Sequence, residues 1–304
     1  GMKAVIMAGG EGRRLRPMSL GLPKPMVPLF DKPVLEYIIA LLRRHGITDI
    51  CITLCYRPQS VMEYFRDGAD FGVNLSYFIE DKPLGTAGSV KAAMDRLGTD
   101  DFLVLSGDAV CDLDLTGLME FHRERKAAAT LALYRHPSPL EYGLVLTDGQ
   151  GRIQRFVEKP GWGQVVTNQV NTGIYVLSRR VMDFVPQNRA FDFGKDLFPL
   201  LLKEGKPLFG FEPEGYWCDM GNCEAYLQCA ADALSGKVRL DLPPSQPVPE
   251  GASQIPPCWI GPGAEIATGA LIGPHAVVGA GSKIGGGSLV QRSVLWAGAA
   301  VGEK

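Results

Sequence analysis

The stretch KAVIMAGGEGRR, residues 3–14, joins a short apolar run to a loop of glycine and arginine. KAVIMA (3–8) has the pattern of a buried strand. Glycine lets backbone N–H groups approach a ligand closely, and N–H groups around a concave turn bind phosphate. A GxGxxG motif from Gly10 would need glycine where Leu15 stands, and GxxxxGK[ST] does not occur. The loop is therefore either a phosphate-binding loop or a basic surface turn.

Strand and helix patterns alternate after this loop. Strand patterns occur at 49–56, 75–80, 101–108, 169–178 and 207–213, and helical patterns at 34–46, 60–68, 86–97, 115–127, 179–186, 195–205 and 223–236. This alternation predicts an α/β fold with a mostly parallel sheet covered on both faces. Residues 142–160 interrupt the alternation, because Asp-Gly-Gln-Gly between two β runs predicts a hairpin.

A six-residue repeat follows the last predicted helix. Apolar residues recur at Ile260, Ile266, Ile272, Val278, Ile284, Val290 and Trp296, with small residues in a second fixed phase at Ala264, Ala270, Ala276, Ser282 and Ser288. One inward apolar residue in every six predicts a short, left-handed parallel β-helix.

The composition and the repeat pattern of the chain predict three regions. These are a first domain over residues 2–236, a proline-rich linker over 237–258 and the hexapeptide β-helix over 259–304. Because a solenoid normally ends in a cap, we expect that the chain is cut from a longer polypeptide at Lys304, or that another subunit covers the end.

Charge and cysteine content restrict the partners and the compartment. The net charge is −2, so no global field attracts nucleic acid or an anionic membrane. The longest early apolar run is too short for a signal peptide or a membrane span. Seven scattered cysteines without paired spacing favour a reducing compartment. We therefore expect a cytoplasmic protein that meets anions with local cations such as Arg14 and Lys24.

Two acids follow strand patterns. Asp108 ends the strand in SGDAVCD (106–112), and Asp219 stands in WCDMG (217–221). An acid just after a parallel strand lies at the sheet edge where α/β proteins bind ligands. Two carboxylates together with the phosphates of a nucleotide complete the oxygen shell that Mg²⁺ prefers. The alternative for Asp108 is an ordinary turn residue.

Two further segments offer groups suited to a sugar phosphate. FVEKP (156–160) ends a β run with Glu158 and Lys159, an acceptor for a hydroxyl and a cation for a phosphate. VNTGIYV (170–176) places Asn171 and Thr172 before a strand, where they offer neutral hydrogen bonds.

These motifs together resemble a known family. GGEGRRLRP, PKPMVP, LGTAGS, SGD, EYG, FVEKP, NTGIYV and GYWCDMG occur in the order typical of the sugar-1-phosphate nucleotidyltransferases. The resemblance covers residues 2–236 and the hexapeptide tail, and FDFGKDLFPLLL brings it nearer to the mannose-1-phosphate guanylyltransferases, in the bacterial form that continues into a phosphomannomutase-like domain. It implies a three-layer, Rossmann-like fold.

The resemblance also implies roles by position. Catalytic roles fall on Arg14, Lys24 and Lys159; nucleotide binding on Ala8, Gly9, Gly10, Gly12, Arg13, Glu80, Gly85 and Thr86; sugar binding on Gly143, Glu158, Asn171 and Thr172; and Mg²⁺ binding on Asp108 and Asp219. Arg13 departs from the family, which usually has a threonine or serine there. We expect a homo-oligomer, a dimer or larger.

The implied reaction joins a nucleoside triphosphate to a sugar-1-phosphate and releases pyrophosphate. Both substrates are polyanions, so the task is placement and cation supply. Glu80 corresponds to a glutamine that reads pyrimidines in relatives. A carboxylate accepts both N–H donors of guanine, whereas uracil and thymine suit an amide, which favours GTP; the alternative is an ordinary acid at a strand end. Mannose rests on the resemblance alone.

Two other functions stay open at this point. One is a glucose-1-phosphate thymidylyl- or uridylyltransferase with the same fold. The other is a catalytically silent protein that binds sugar nucleotides and acts as a regulator. Retention of Asp108, Asp219, Arg14 and Lys24 favours an enzyme over the silent protein.

Overall fold

The computed structural model describes residues 2–9, 21–158, 160–161, 163 and 167–302. Its contacts divide the chain into two compact units. Unit 1 contains the described residues of 1–11, 39–107 and 113–217, and unit 2 contains those of 12–38, 108–112 and 218–304. Besides the predicted linker and β-helix, unit 2 contains two short segments from the N-terminal half and residues 218–236, so the two units do not coincide with the predicted regions.

Unit 1 is built around a nine-stranded sheet. Its strands are β1 (Lys3–Met7), β2 (Asp49–Leu54), β3 (Asn74–Ile79), β4 (Phe102–Ser106), β5 (Ala129–Arg135), β6 (Leu144–Thr147), β7 (Ile153–Val157), β8 (Gln169–Leu177) and β9 (Leu208–Phe211). The order is β7-β6-β8-β4-β1-β2-β3, and β5 pairs with β8 and β9. Strands β3, β2, β1 and β4 are parallel, whereas β8 runs antiparallel to β4. The predicted Rossmann-like core is therefore confirmed.

Six α-helices occur within the described residues: α1 (Val34–Arg44), α2 (Pro58–Phe65), α3 (Gly85–Ala92), α4 (Leu115–Arg125), α5 (Phe198–Lys203) and α6 (Cys223–Leu234). Helix α1 ends as its sequence predicts, with Arg43 and Arg44 in the last turn and Gly46 at φ 75°. No helix within the described ranges is both long and apolar enough to cross a bilayer. All seven cysteines are free thiols.

Three helical predictions were too simple. The helix predicted over 86–97 stops at Ala92 and continues as a 3₁₀ turn, and residues 179–184 form only a 3₁₀ helix. The helix predicted from Lys195 begins as a π-turn over Phe193–Leu197 before α5. Pro199 stands in the first turn of α5, and its missing N–H prevents an α-helical ladder from continuing through it.

The patterns also missed the central strand β5. Its first five residues are all buried, and β8 and β9 pair with its two edges. A strand buried on both faces shows a continuous apolar run, which cannot be told from a buried helix by periodicity alone.

Unit 2 contains the β-helix. Its strands stack in three parallel sheets: Ser253–Gln254 with Leu271–Ile272 and Leu289–Val290; Cys258–Ile260 with Ala276–Val278 and Ser293–Leu295; and Glu265–Ile266 with Lys283–Ile284 and Ala300–Val301. Six of the seven predicted inward residues, from Ile260 to Val290, share one buried core. The first strand lies inside the segment that the sequence analysis assigned to a linker.

The prediction that Trp296 is the seventh inward residue is wrong. Val278 pairs with Leu295, so the corner after Val290 is one residue shorter than the six-residue repeat requires. Leu295 takes the place at the core that the repeat gave to Trp296. The indole of Trp296 instead donates a hydrogen bond to the hydroxyl of Tyr226 in α6, at 3.0 Å.

A buried histidine makes the stability of unit 1 dependent on pH. His122 lies between Asp101 and Thr130, with Nε2 2.9 Å from the Asp101 carboxylate and Nδ1 2.8 Å from the Thr130 hydroxyl. The carboxylate only accepts, so Nε2 carries the proton and Nδ1 accepts from Thr130. Burial lowers the pKa of His122 from its ordinary value of 6.5.

Replacing His122 by phenylalanine is therefore expected to cost about 1–3 kcal/mol of unfolding free energy at pH 7.5, because it leaves the buried Thr130 hydroxyl unsatisfied, whereas water can solvate the partly exposed Asp101. A lowered pKa means that the unfolded chain binds the proton more readily, so this stabilisation is present above pH 6.5 and is lost as the pH falls below it. Urea unfolding at pH 7.5, 6.5 and 5.5 should show the difference between wild type and variant shrinking. A difference in unfolding free energy that does not change with pH would contradict the lowered pKa of His122. The Thr130→Val variant, which keeps the imidazole, serves as the control.

Candidate active site

Four parallel strands end at one edge of the unit 1 sheet. The residues that follow β1, β2, β3 and β4 are Ala8 and Gly9, Cys55, Glu80 and Gly107. The Ala8 N–H donates to the Thr53 carbonyl at 3.0 Å, and the Gly107 N–H donates to the Met7 carbonyl at 2.8 Å. Because the ligands of open parallel sheets bind at this edge, it is where a site is expected in unit 1.

Glu80 places a carboxylate beside the glycine that follows β1. A Cβ added at Gly9 would lie 3.1 Å from Oε2 of Glu80, so a side chain there would crowd the carboxylate. Within the described part of the chain, Oε1 of Glu80 and the Ser89 hydroxyl are buried without a hydrogen-bond partner. Burial raises the pKa of Glu80. The Ser89 hydroxyl and the Leu84 N–H lie near enough to this carboxylate to oppose that rise in pKa, and a carboxylate has further acceptor sites for the N–H donors of a ligand.

The start of α3 is held from a distant part of the chain. Asp192 Oδ1 accepts the N–H of Thr86 at 3.0 Å, and the Phe193 N–H donates to the Thr86 hydroxyl at 2.8 Å. Gly85 has φ 71°, and a Cβ there would lie 2.7 Å from the Phe191 carbonyl oxygen. Gly85 and Thr86, two predicted nucleotide contacts, therefore depend on Asp192. Asp192 belongs to the segment FDFG (191–194), and its sequence pattern predicted no role for it.

We expect Asp192→Ala to raise the KM for the nucleotide about tenfold and to lower stability by about 1 kcal/mol, because an unsatisfied helix cap loosens the first turn of α3. Pyrophosphate release under varied nucleotide concentration measures the first effect, and thermal unfolding the second. Asp114→Ala removes the cap of α4, where Asp114 accepts the Gly117 N–H at 3.1 Å, and should lower stability without raising KM. Equal KM values in the two variants would refute the role of Asp192.

Three of the four predicted sugar contacts form one cluster. Because β8 is antiparallel to β4, its start lies at the edge where β4 ends. The Asn171 N–H donates to the Gly143 carbonyl at 3.0 Å. A Cβ on Gly143 would lie 3.0 Å from Oε1 of Glu158, and one on Gly194 would lie 2.8 Å from the same oxygen and 3.7 Å from Asn171 Nδ2. Glycine at both positions therefore leaves room around the Glu158 carboxylate.

Thr172, the fourth predicted sugar contact, has a structural role in the sheet. The pairing of β8 with β5 is irregular between Asn171 and Tyr175, and the contacts of Thr172 itself show where its side chain lies. Its side chain is buried, with 3% exposed, and its hydroxyl donates to the Ala132 carbonyl at 2.7 Å. The Thr172 hydroxyl, which was predicted to bind a sugar, therefore makes its hydrogen bond within the sheet.

Unit 2 contains the predicted metal pair and one predicted catalytic lysine. Strand Ala109–Cys111 pairs with strand Trp217–Asp219, and the Met220 N–H donates to the Asp108 carbonyl at 3.0 Å. Asp108 and Asp219 are thereby on adjacent chain segments although they are far apart in sequence. Lys24 Nζ lies 2.7 Å from Asp108 Oδ2, with 16% of the lysine side chain and 32% of the aspartate side chain exposed.

This donor set fits a magnesium ion that completes its shell with substrate oxygens. Magnesium prefers carboxylate oxygens and is commonly held by one or two carboxylates plus phosphates. The described residues contain no group of three or more His, Cys, Asp or Glu placed to hold a metal by themselves. Two carboxylates beside a lysine are therefore suited to an ion that arrives with a polyphosphate rather than to a permanent structural metal.

Five predicted site residues lie outside the described residues. They are Gly10, Gly12, Arg13, Arg14 and Lys159. The roles predicted for them remain predictions from the sequence.

The profile of the family described as "Nucleotidyl transferase" matches residues 3–236, and that of "Bacterial transferase hexapeptide (six repeats)" matches residues 256–290. The chain is 38% identical over 251 residues to a UTP–glucose-1-phosphate uridylyltransferase of Synechocystis, covering 78% of this chain and 65% of the relative. It is 36% identical to a mannose-1-phosphate guanylyltransferase of Mycobacterium tuberculosis, covering 77% and 65%. The chain thus spans just under two thirds of the length of these two relatives.

The fold is similar to that of solved structures. HddC from Yersinia pseudotuberculosis, solved in complex with GMP-PN, superposes with a TM-score of 0.64 at 28% identity, covering 75% of this chain and 97% of HddC.

Proposed function

Because this chain belongs to the nucleotidyl transferase family, we propose that it transfers a nucleotidyl group from GTP to mannose-1-phosphate, giving GDP-mannose and pyrophosphate. The observation that supports the choice of base is the partly buried carboxylate of Glu80, whose Oε2 lies beside Gly9. Guanine offers N1–H and N2–H₂ side by side, and a carboxylate accepts both. Uracil and thymine would set a carbonyl against an acceptor.

The relatives divide between the two candidate bases. The mannose-1-phosphate guanylyltransferase of M. tuberculosis and HddC with its GMP-PN support guanine, and the uridylyltransferase of Synechocystis supports UTP with glucose-1-phosphate as the second candidate. The preference for mannose rests on the guanylyltransferase relatives. Uridylyl transfer to glucose-1-phosphate is the alternative outcome of the nucleotide panel.

The proposed reaction is a direct displacement. A phosphate oxygen of the sugar-1-phosphate forms a bond to the α-phosphorus of the triphosphate, and the bond from that phosphorus to the bridging oxygen breaks, so that pyrophosphate leaves with the electron pair. The attacking oxygen is already ionised, so no general base is required. What the protein supplies is placement and positive charge for groups that repel one another.

Each unit carries part of this machinery. In unit 1, Glu80 and the first turn of α3 bind the nucleoside, and the cluster of Glu158, Asn171 and Gly143 binds the sugar hydroxyls. In unit 2, Lys24 supplies a cation for the phosphates, with Asp108 and Asp219 as the residues that would hold Mg²⁺. That ion, when bound, neutralises phosphate charge as a Lewis acid. Arg14 and Lys159 retain their predicted roles as further phosphate cations.

A panel of nucleotides tests the proposal. Pyrophosphate release is measured with GTP, UTP, dTTP, CTP and ATP at a fixed concentration of mannose-1-phosphate, and again with glucose-1-phosphate. We expect the highest kcat/KM for the pair of GTP and mannose-1-phosphate. A maximum with UTP and glucose-1-phosphate establishes the second candidate. Absence of release with every pair, together with retained binding of a sugar nucleotide, shows a silent binding protein.

A further inference from the structure

Lys24 is tied to a small hairpin that follows it in unit 2. It begins a 3₁₀ turn over Lys24–Met26, in which the Val27 N–H donates to the Lys24 carbonyl at 3.2 Å. Strands Pro28–Leu29 and Lys32–Pro33 then form an antiparallel pair, which we call the 28–33 hairpin. The Val34 N–H donates a hydrogen bond to the Val27 carbonyl at 3.0 Å. Hydrogen bonds therefore run without a break from Lys24 to the hairpin.

The tip of the 28–33 hairpin is anchored on the β-helix. Phe30 and Asp31 make the turn with φ of 51° and 63°, a region that non-glycine residues seldom adopt. Phe30 is 1% exposed and meets the ring of Trp259 edge-on at 5.6 Å. Oδ2 of Asp31 accepts the Ala280 N–H at 2.8 Å. A Cβ on Gly261 would lie 2.7 Å from that oxygen, so the β-helix leaves space for this carboxylate by having glycine there.

The stem of the hairpin is held by a second chain of hydrogen bonds. The hydroxyl of Tyr226 in α6 donates to the Pro28 carbonyl and accepts the indole N–H of Trp296 from the β-helix. Trp296 is available for this bond because the shortened corner after Val290 puts Leu295, not Trp296, at the β-helix core. Tip and stem are thus both fixed by residues of the hexapeptide repeat.

We propose that the hexapeptide β-helix is a positioning element for Lys24, and that Asp31 is the positioning residue through which it acts. The proposal rests on the role proposed for Lys24 at the phosphates. A cation stabilises a reacting phosphate only if it is fixed before the reaction, and a misplacement of about 1 Å costs up to about 10²-fold in rate. The lysine side chain is long and flexible, so a rigid backbone beneath it limits the positions that its ammonium group reaches.

The test compares Asp31→Ala with Asp31→Asn in the full chain. Asp31→Ala removes the acceptor of the Ala280 N–H, and we expect kcat for pyrophosphate release to fall about tenfold while the KM for the nucleotide changes less than about twofold. Asn keeps an acceptor oxygen and should restore kcat to within about twofold of wild type. Amide hydrogen exchange at Met26 and Val27 should accelerate in Asp31→Ala and not in Asp31→Asn.

Ser288→Ala is the matched control. It removes a buried hydrogen bond to the Gly302 carbonyl, at 2.6 Å inside the β-helix, without touching the hairpin. It should lower thermal stability as Asp31→Ala does and leave kcat and exchange unchanged. Trp296→Phe loosens the stem and should reproduce the kcat effect in a milder form, which keeps the test decisive if Asp31→Ala does not fold.

Two outcomes separate this proposal from the proposed function. If wild type releases pyrophosphate, and Asp31→Ala and Trp296→Phe lose only as much stability as Ser288→Ala with unchanged kcat and exchange, the positioning role is overturned. If wild type releases none with any substrate pair, the proposed function fails, and exchange at Met26 and Val27 still decides whether the β-helix fixes the segment that bears Lys24.

Discussion

Replacing Lys24 by methionine is expected to lower kcat for pyrophosphate release by about 10²–10³-fold, the usual cost of losing one group placed to stabilise developing charge. Its ammonium group lies 2.7 Å from the Asp108 carboxylate, and only 16% of its side chain is exposed. Methionine keeps much of the apolar stem and removes the charge. Because Asp108 is about one third exposed, water solvates it after the change, and the protein should unfold within a few degrees of wild type.

The controls separate loss of this charge from loss of an ion pair in general. Lys237→Met breaks a pair with Asp232, at 3.7 Å in the same unit, and should leave kcat unchanged. Lys24→Arg keeps the charge but replaces a compact ammonium with a planar guanidinium, so we expect partial activity. If Lys24→Met retains more than half of the wild-type kcat, Lys24 has no role at the phosphates.

The sequence predicted the parts of unit 1 that depend on neighbouring residues. Each parallel strand is a short apolar run closed by a turn signal, so the residues after β1, β3 and β4 were identifiable as residues of one sheet edge. Gly9 and Glu80 were assigned from the glycine-rich loop and from the resemblance to the family, whereas Asp108 was predicted from this rule. That Asp108 and Asp219 lie on paired segments does not follow from it, because the pairing of two short strands so far apart in sequence is decided by tertiary packing.

The sequence patterns could not predict residues whose role depends on contacts with distant parts of the chain. Asp192 accepts the N–H of Thr86 although the two residues are 106 positions apart, and no local pattern in the sequence connects them. Trp296 is displaced because the corner after Val290 is one residue shorter than the repeat. Leu295 and Trp296 are both apolar, so the six-residue spacing in the sequence does not reveal this change. The burial of Thr172 likewise depends on a distant contact, the Ala132 carbonyl that accepts its hydroxyl.

Glu80→Gln is expected to lower kcat/KM for GTP about 10²-fold and to leave kcat/KM for UTP unchanged or raised. A glutamine presents one acceptor and one donor group, so one of the two N–H donors of guanine would face another donor, and a lost hydrogen bond to a charged group is worth about 1.5–3 kcal/mol. The same amide suits the single N–H of uracil between its carbonyls. Initial rates with both nucleotides give the ratio, and Glu63→Gln, an exposed acid of α2, should leave it unchanged.

The pH dependence of base choice supplies a second, independent check on the same carboxylate. Because burial raises the pKa of Glu80, the group takes up a proton at a higher pH than an exposed glutamate does. A protonated carboxyl has one acceptor and one donor, as glutamine has, so the GTP-to-UTP ratio of wild type should fall as the pH is lowered toward that raised value. The ratio of Glu80→Gln should stay flat over the same range, because an amide does not titrate. Parallel pH profiles for wild type and variant would show that Glu80 does not contact the base, whatever nucleotide the enzyme prefers.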